Sequence, residues 1–122
     1  MYGFGELRKA NLERVQLWHP GFPDKEIPAQ EWNIAEWTNA MQGEAGEAGN
    51  IAKKIRRLDT NLTGRPSETN RNELVWKLGL ELADNVIYTD LCAAKMHLDL
   101  WTLVVEKFNK TSEEYGFPQR LG

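Results

Sequence analysis

Apolar side chains recur every three or four residues over a long stretch of this sequence, from about residue 28 to residue 58. That spacing predicts an amphipathic helix, because one helical turn contains about 3.6 residues. The apolar positions are Trp37, Ala40, Met41, Ala48, Ile51 and Ile55. One acidic residue, Glu44, falls in the middle of this face, and Glu47 lies at its edge. A carboxylate on an inward face loses hydration, so it requires a compensating partner.

A second acidic pair, Glu81 and Asp84, lies in the next predicted helix, which runs from about residue 71 to residue 95. This helix is apolar nearly all round, so we expect it to be buried on most sides. Lys77, Glu81, Asp84 and Tyr88 nevertheless share one narrow polar stripe. Such a stripe is costly unless it lines a cavity or is paired internally. An ion pair between Lys77 and Glu81, with Asp84 solvated, is the alternative that needs no ligand.

Two shorter helices complete the predicted fold, one from Glu6 to about Leu17 and one from about Leu100 to Glu114. A polar stretch over residues 59–72 is predicted to be a loop. No segment alternates between apolar and polar residues over a length that would indicate a strand. We therefore predict an all-α bundle of four to five helices in a single domain, residues 1–122, with its core at about 28–115.

Helix caps and large aromatic residues give further expectations. Asn70 with Glu73 three residues later resembles a capping pair at the start of the 71–95 helix. Asp99 is a candidate N-cap of the last helix. Trp76 and Trp101 are expected in the core.

Bulk properties exclude several classes of function. The net charge of -3 offers no strong electrostatic case for binding a nucleic-acid polymer. No stretch approaches the ~18 apolar residues of a membrane span, and the first residues lack the apolar run of a signal peptide. The single cysteine, Cys92, cannot form an intrachain disulfide, which suits a reducing compartment. We therefore expect a cytoplasmic protein with neither a membrane nor a nucleic-acid polymer as partner.

Carboxylates without neighbouring histidines indicate a hard divalent cation, Mg²⁺ or Mn²⁺. A di-iron bundle would need a Glu-x-x-His pair on two helices, whereas the only histidines here are His19 and His97. Because Mg²⁺ usually takes substrate phosphates as ligands, a phosphorylated substrate is expected. No glycine-rich loop of the Walker type is present. Phosphate charge would therefore be met by the metal and by cationic residues such as Lys54 and Lys107.

The two acidic pairs, Glu44–Glu47 and Glu81–Asp84, resemble the motifs of the MazG-like nucleotide pyrophosphohydrolases, which belong to the all-α NTP pyrophosphatase superfamily. The likeness covers about residues 32–118 and includes a polar tail, Lys107–Pro118. One acidic pair alone would be a weak signal, whereas two pairs in this order followed by this tail are specific.

Two features depart from the family pattern. Residues 48–80 separate the acidic pairs by more than the common family spacing, and the polar loop is expected to absorb the excess. Thr111 stands where many relatives carry asparagine.

The resemblance implies Mg²⁺-dependent hydrolysis of a nucleoside triphosphate, a dNTP or a non-canonical NTP, to the monophosphate and pyrophosphate. The role would be house-cleaning of aberrant nucleotides or control of a dNTP pool. Glu44, Glu47, Glu81 and Asp84 would ligate Mg²⁺, with Mn²⁺ possible, and Glu47 would act as the catalytic base. Aromatic, cationic and amide side chains are expected to bind the substrate: Trp37, Lys54, Tyr88, Lys107, Asn109, His19 and Trp32.

Relatives of this kind assemble as dimers or as tetramers of paired dimers. Two helices that are apolar on most sides also present more hydrophobic surface than a monomer of this size can hide. We therefore expect a homo-dimer or homo-tetramer that completes the bundle. Two other interpretations of function stay open: a non-catalytic helical module that binds a nucleotide or a protein, and a phosphoribosyl-ATP pyrophosphohydrolase, which has the same superfamily fold.

Overall fold

The computed structural model describes residues 3–24, 32–60 and 70–122. Within these ranges the chain forms four helices and no strand, so the prediction of an all-α fold is confirmed. The helices are α1 (Phe4–Val15), α2 (Ile34–Asp59), α3 (Arg71–Lys95) and α4 (Leu100–Tyr115). The start of the predicted 28–58 helix and most of the predicted 59–72 loop lie outside the described residues. None of the helices in the described ranges has the length and apolarity that crossing a membrane requires.

Side-chain caps fix where three of the helices begin. At α3, the Asn70 side chain accepts a hydrogen bond from the Glu73 backbone N–H at 3.2 Å, as predicted. At α4, Asp99 caps the first turn by accepting from the Thr102 N–H at 3.1 Å, also as predicted. Helix α2 begins with a reciprocal capping box formed by Asn33 and Glu36.

The chain divides into two compact units, and each is described by itself. Unit 1 consists of Met1–Glu31 and Asp90–Gly122, and unit 2 is Trp32–Thr89. Helix α3 contributes its first part to unit 2 and residues 90–95 to unit 1. The single-domain organisation stays a prediction.

In unit 2, α2 and the first part of α3 run antiparallel. Three contacts pair early residues of one helix with late residues of the other: Trp37 with Tyr88 (ring centroids 6.4 Å apart), Met41 Sδ with Thr89 Oγ1 (3.2 Å), and Asp59 with Arg71 (2.7 Å). Trp37 and Ala48 of α2 and Leu74 of α3 are buried.

The expectation that the second acidic helix is buried on most sides is wrong for unit 2. Trp76 is 69% exposed, and several other large apolar side chains of α3 are also exposed. The reason is geometric: a helix paired with one neighbour buries one face, and the described residues of unit 2 leave the apolar side chains on its other faces uncovered. Trp101, also expected in the core, is 44% exposed and stacks on Phe4 with ring centroids 5.5 Å apart.

In unit 1, the end of α3 is buried along its whole circumference, residues 90–95. Asp90, 1% exposed, accepts hydrogen bonds from Arg8 Nε at 3.1 Å and Asn11 Nδ2 at 3.0 Å. Lys95 is also buried, and its Nζ donates to the Pro23 carbonyl at 3.1 Å. Each of these buried charges is therefore matched by a hydrogen-bonding partner, as burial of a charge requires.

Candidate metal centre

Three of the four predicted metal ligands lie together between α2 and α3. Because Met41 contacts Thr89, the antiparallel pairing brings Glu44, almost one turn further along α2, level with the acids of α3. One carboxylate oxygen from each of Glu44, Glu81 and Asp84 lies within 4.8 Å of the others. We call these three residues the acidic cluster. Each of its side chains is half-buried.

The pKa values of two carboxyl groups in the acidic cluster, Glu44 and Glu81, are raised. The pKa of Glu44 is raised first by desolvation and then by the negative charges of Glu47 and Asp84, while a hydrogen bond with Glu81 lowers it. The pKa of Glu81 is raised chiefly by its hydrogen bond with Glu47, followed by desolvation and the surrounding carboxylate charges. Both directions mean that the ionised cluster is electrostatically costly in the absence of a cation.

The hydrogen bonding of Glu81 also indicates that the ionised cluster lacks a compensating cation. Among the described residues, its buried Oε2 atom has no hydrogen-bond partner. Glu47 can hydrogen-bond to Glu81 only when one of the two carboxyl groups is protonated, because an ionised carboxylate only accepts. A divalent cation satisfies these oxygens without requiring a proton.

The donor set fits Mg²⁺. All three groups of the acidic cluster offer oxygen, which Mg²⁺ prefers to nitrogen or sulfur. With metal–oxygen bonds of about 2.0–2.1 Å, ligands on opposite sides of an octahedral Mg²⁺ are about 4.2 Å apart. The three carboxylate oxygens, which lie within 4.8 Å of one another, are therefore spaced close to what one Mg²⁺ ion requires.

Glu47 lies beside the acidic cluster rather than within it. Its side chain is exposed, one turn beyond Glu44 on α2, and it interacts with Glu81. An exposed carboxylate at this position can reach solvent as well as the cluster. On the neighbouring polar stripe of α3, Lys77 forms an ion pair with Glu73 at 3.4 Å.

Three predicted substrate residues form an aromatic cluster in unit 2. Trp37 is 2% exposed and lies against Trp32, in an edge-on contact with ring centroids 4.9 Å apart. Tyr88 lies on α3 one turn beyond Asp84. It is half-buried and contacts Trp37 of α2. Because Trp37 is enclosed and Trp32 only half-buried, Trp32 presents the more accessible ring of the two.

Of the other predicted substrate residues, one belongs to unit 2 and three belong to unit 1. Lys54 is exposed on α2, and ten residues of helix separate it from Glu44, about 15 Å along the axis. His19, Lys107 and Asn109 belong to unit 1. The Asn109 side chain is tied to the C-terminal tail, because it donates to the Leu121 carbonyl at 2.9 Å and accepts from the Leu121 N–H at 2.7 Å.

Thr89 supports the acidic cluster and was not anticipated from the sequence. Its hydroxyl donates to the Asn85 carbonyl at 2.7 Å and lies 3.2 Å from Met41 Sδ. This contact sets the register of α2 against α3 just beyond the acids. The only local signal is a small polar residue one turn after Asn85, a pattern too common in helices to predict the contact.

Fold and site together define an all-α protein with an acidic cluster suited to a hard divalent cation. The chain matches no protein-family profile, no curated protein and no solved structure. The function is therefore argued from the site and from the sequence motifs.

Proposed function

We propose that this protein is a Mg²⁺-dependent nucleoside triphosphate pyrophosphohydrolase, which releases pyrophosphate and a nucleoside monophosphate. The observation that supports this proposal most strongly is the convergence of Glu44, Glu81 and Asp84 oxygens within 4.8 Å. An oxygen-only site suits Mg²⁺, which usually completes its coordination with water and substrate phosphates. The order of the two acidic pairs and the spacing within each pair resemble those of MazG-like enzymes, and this resemblance supplies the reaction class.

In this proposal the acidic cluster holds the metal, and Glu47 either adds a ligand or acts as the base. The bound ion would supply charge neutralisation at the phosphates. Glu47, exposed beside Glu81, would accept the proton of the attacking water. The water oxygen would form a bond to phosphorus while the bond to the leaving pyrophosphate breaks.

The proposed substrate is a dNTP or a non-canonical NTP, and its binding residues rest on the resemblance and on side-chain chemistry. Lys54 and Lys107 would contact phosphates, Asn109 the phosphate end, and Tyr88 the sugar or phosphate. The aromatic and imidazole side chains proposed at the base are Trp37, Trp32 and His19.

The testing experiment measures pyrophosphate release from a panel of canonical and modified NTPs and dNTPs, with Mg²⁺ or with EDTA. We expect turnover with Mg²⁺ only. Glu44→Gln and Asp84→Asn should each reduce turnover by more than about a hundredfold, since even residues that only support a metal ligand cost 10- to 100-fold. Glu106→Gln, an exposed glutamate on α4, is the matched control and should retain activity.

Glu47→Gln separates the two roles of that residue. As a base, Glu47 contributes about 10²–10⁴-fold to turnover, so the variant should lose activity while retaining Mg²⁺ binding. If Glu47 is instead a metal ligand, the variant should lose both turnover and Mg²⁺ binding. Absence of turnover on every nucleotide of the panel, phosphoribosyl-ATP included, would refute the enzyme proposal. Mg²⁺ or nucleotide binding without turnover would then favour the non-catalytic module.

We further propose that the protein assembles as a homo-dimer or homo-tetramer and resides in the cytoplasm. Exposed apolar residues on α3 support assembly. The single cysteine, Cys92, is buried, and burial raises the pKa of its thiol, which suits a reduced cysteine with a structural role.

A further inference from the structure

A cleft of about 570 Å³ lies within unit 1, where the start of α1, the last part of α3 and the start of α4 meet. Its volume falls in the range of about 300–1,000 Å³ that is typical of small-molecule sites. Phe4 and Arg8 line it from α1, Asp90 from α3, and Asp99 and Trp101 from the beginning of α4. All of these residues belong to unit 1, so the cleft shares no residue with the acidic cluster of unit 2.

Trp101 and Phe4 form an aromatic wall of the cleft. The two rings stack with their centroids 5.5 Å apart and an angle of 26° between their planes. Trp101 is nevertheless 44% exposed. An uncovered ring of this size forgoes hydrophobic stabilisation, whereas a flat ring bound against it covers the surface and stacks on its π-face. The cleft therefore suits a ligand that contains a flat aromatic ring.

Arg8 supplies hydrogen-bond donors in the cleft. Its Nε donates to Asp90 Oδ1 at 3.1 Å, and its Nη2 donates to the Leu98 carbonyl at 2.7 Å. These two bonds fix the guanidinium, and its third nitrogen, Nη1, donates to no atom of the described residues. Because Asp90 already balances the charge of Arg8, the pair requires no anionic ligand. Arg8 can therefore donate to a neutral acceptor.

Asp99 supplies a hydrogen-bond acceptor in the same cleft. Its Oδ1 accepts from the Thr102 N–H at 3.1 Å and so caps α4, whereas no described residue donates to its Oδ2. An ionised carboxylate repels a bound anion and accepts hydrogen bonds from N–H groups. The donors of Arg8 and the acceptor of Asp99 therefore match an uncharged ring that carries both acceptors and donors on its edge.

We infer that this cleft binds an uncharged heteroaromatic ring with hydrogen-bond acceptors and donors on its edge, the chemistry of a guanine base. The ring stacks on Trp101. Arg8 donates to the O6 or N7 acceptor, which are the guanine atoms that arginine contacts most often in specific recognition. Asp99 accepts from the ring N–H and amino groups. This binding requires neither a metal ion nor a phosphate, so it stands or falls independently of the proposed enzymatic function.

Calorimetric titration with guanosine in EDTA tests the inference, because guanosine has no phosphate and the acidic cluster then holds no divalent cation. We expect saturable binding by the wild-type protein and about tenfold or weaker binding by Trp101→Ala, which removes the stacking surface. Trp76→Ala, which removes an exposed tryptophan of unit 2, is the matched control and should bind like the wild type. No binding by the wild type up to the solubility limit of guanosine would overturn the inference, as would equal affinities for Trp101→Ala and the control.

A second variant, Asp99→Asn, covers the case in which Trp101→Ala fails to fold. Asparagine caps helices as well as aspartate does, so α4 should form equally well by circular dichroism. The amide has a donor where the carboxylate had its second acceptor, so guanosine binding should weaken about tenfold or more. Benzoate, a flat anion with acceptors but no donor, should bind the wild type more weakly than guanosine does. Unchanged guanosine affinity in Asp99→Asn, or benzoate binding as tight as that of guanosine, would overturn the inference.

Discussion

The acidic side chains in the two parts of α3 have opposite electrostatic surroundings. In unit 1, Asp90 is almost fully buried, and Arg8 and Asn11 supply its hydrogen bonds. In unit 2, Glu81 and Asp84 are only half-buried, yet they face another carboxylate, that of Glu44. The more deeply buried charge is thus balanced by the chain itself. The more exposed charges repel one another, which is what a site reserved for a cation requires.

The largest expected effect on stability comes from breaking the ion pair between Arg8 and Asp90 in unit 1. Arg8→Met leaves the Asp90 carboxylate buried without its cation, so the free energy of unfolding should fall by about 3 kcal/mol or more. Urea unfolding monitored by circular dichroism measures this change. A loss well below 1 kcal/mol would mean that Asn11 alone compensates the charge.

An exposed ion pair provides the matched control for Arg8→Met. Arg71 pairs with Asp59 at 2.7 Å, but both side chains are about half-exposed, 54% and 46%. Water screens such a pair, so Arg71→Met should change stability far less than Arg8→Met. Equal losses for the two variants would contradict the distinction between buried and exposed charge.

Removing a carboxylate from the metal-free acidic cluster should have a smaller effect on the free energy of unfolding, and one of opposite sign. The folded-state pKa values of Glu44 and Glu81 are raised above the ordinary value of 4.5. As pH rises from 4.5 towards the raised values, the unfolded chain loses protons that the folded chain retains. The contribution of these groups to stability therefore falls over that window and stays low above it.

The corresponding measurement compares wild-type protein with Glu81→Gln in EDTA over this pH range. We expect the variant to gain stability relative to the wild type as pH rises, because it removes one of the repelling charges. Saturating Mg²⁺ should reverse this order near neutral pH, since an ion bound only by the folded state stabilises it. A stability difference that does not change with pH would show that the carboxylates do not repel in the folded protein.

The sequence predicted the local features of the fold well, because they depend on neighbouring residues. The Asn70 and Asp99 caps and the extent of α3 follow from spacing along the chain. Three of the four predicted ligands come together because helical periodicity put them on the correct faces of α2 and α3.

The long-range features could not be predicted in this way. Arg8 and Asp90 are far apart in the chain, and no local pattern pairs them. Trp76 was expected in the core because hydrophobicity shows which residues favour burial, but not whether this chain provides a neighbour to cover them. Asn109 was predicted from the tail motif, whereas its amide is tied to Leu121 in the structure.

Calorimetric titration of the metal-free protein with MgCl₂ tests the central claim most directly, namely that the acidic cluster is a metal site. We predict saturable Mg²⁺ binding by the wild-type protein and by the Glu106→Gln control, and loss of that binding in Glu81→Gln. Repeating the titration with a non-hydrolysable nucleoside triphosphate should tighten it, because phosphates complete the coordination. Saturable binding that survives Glu81→Gln unchanged, or no Mg²⁺ binding by the wild type even with the nucleotide, would contradict the claim.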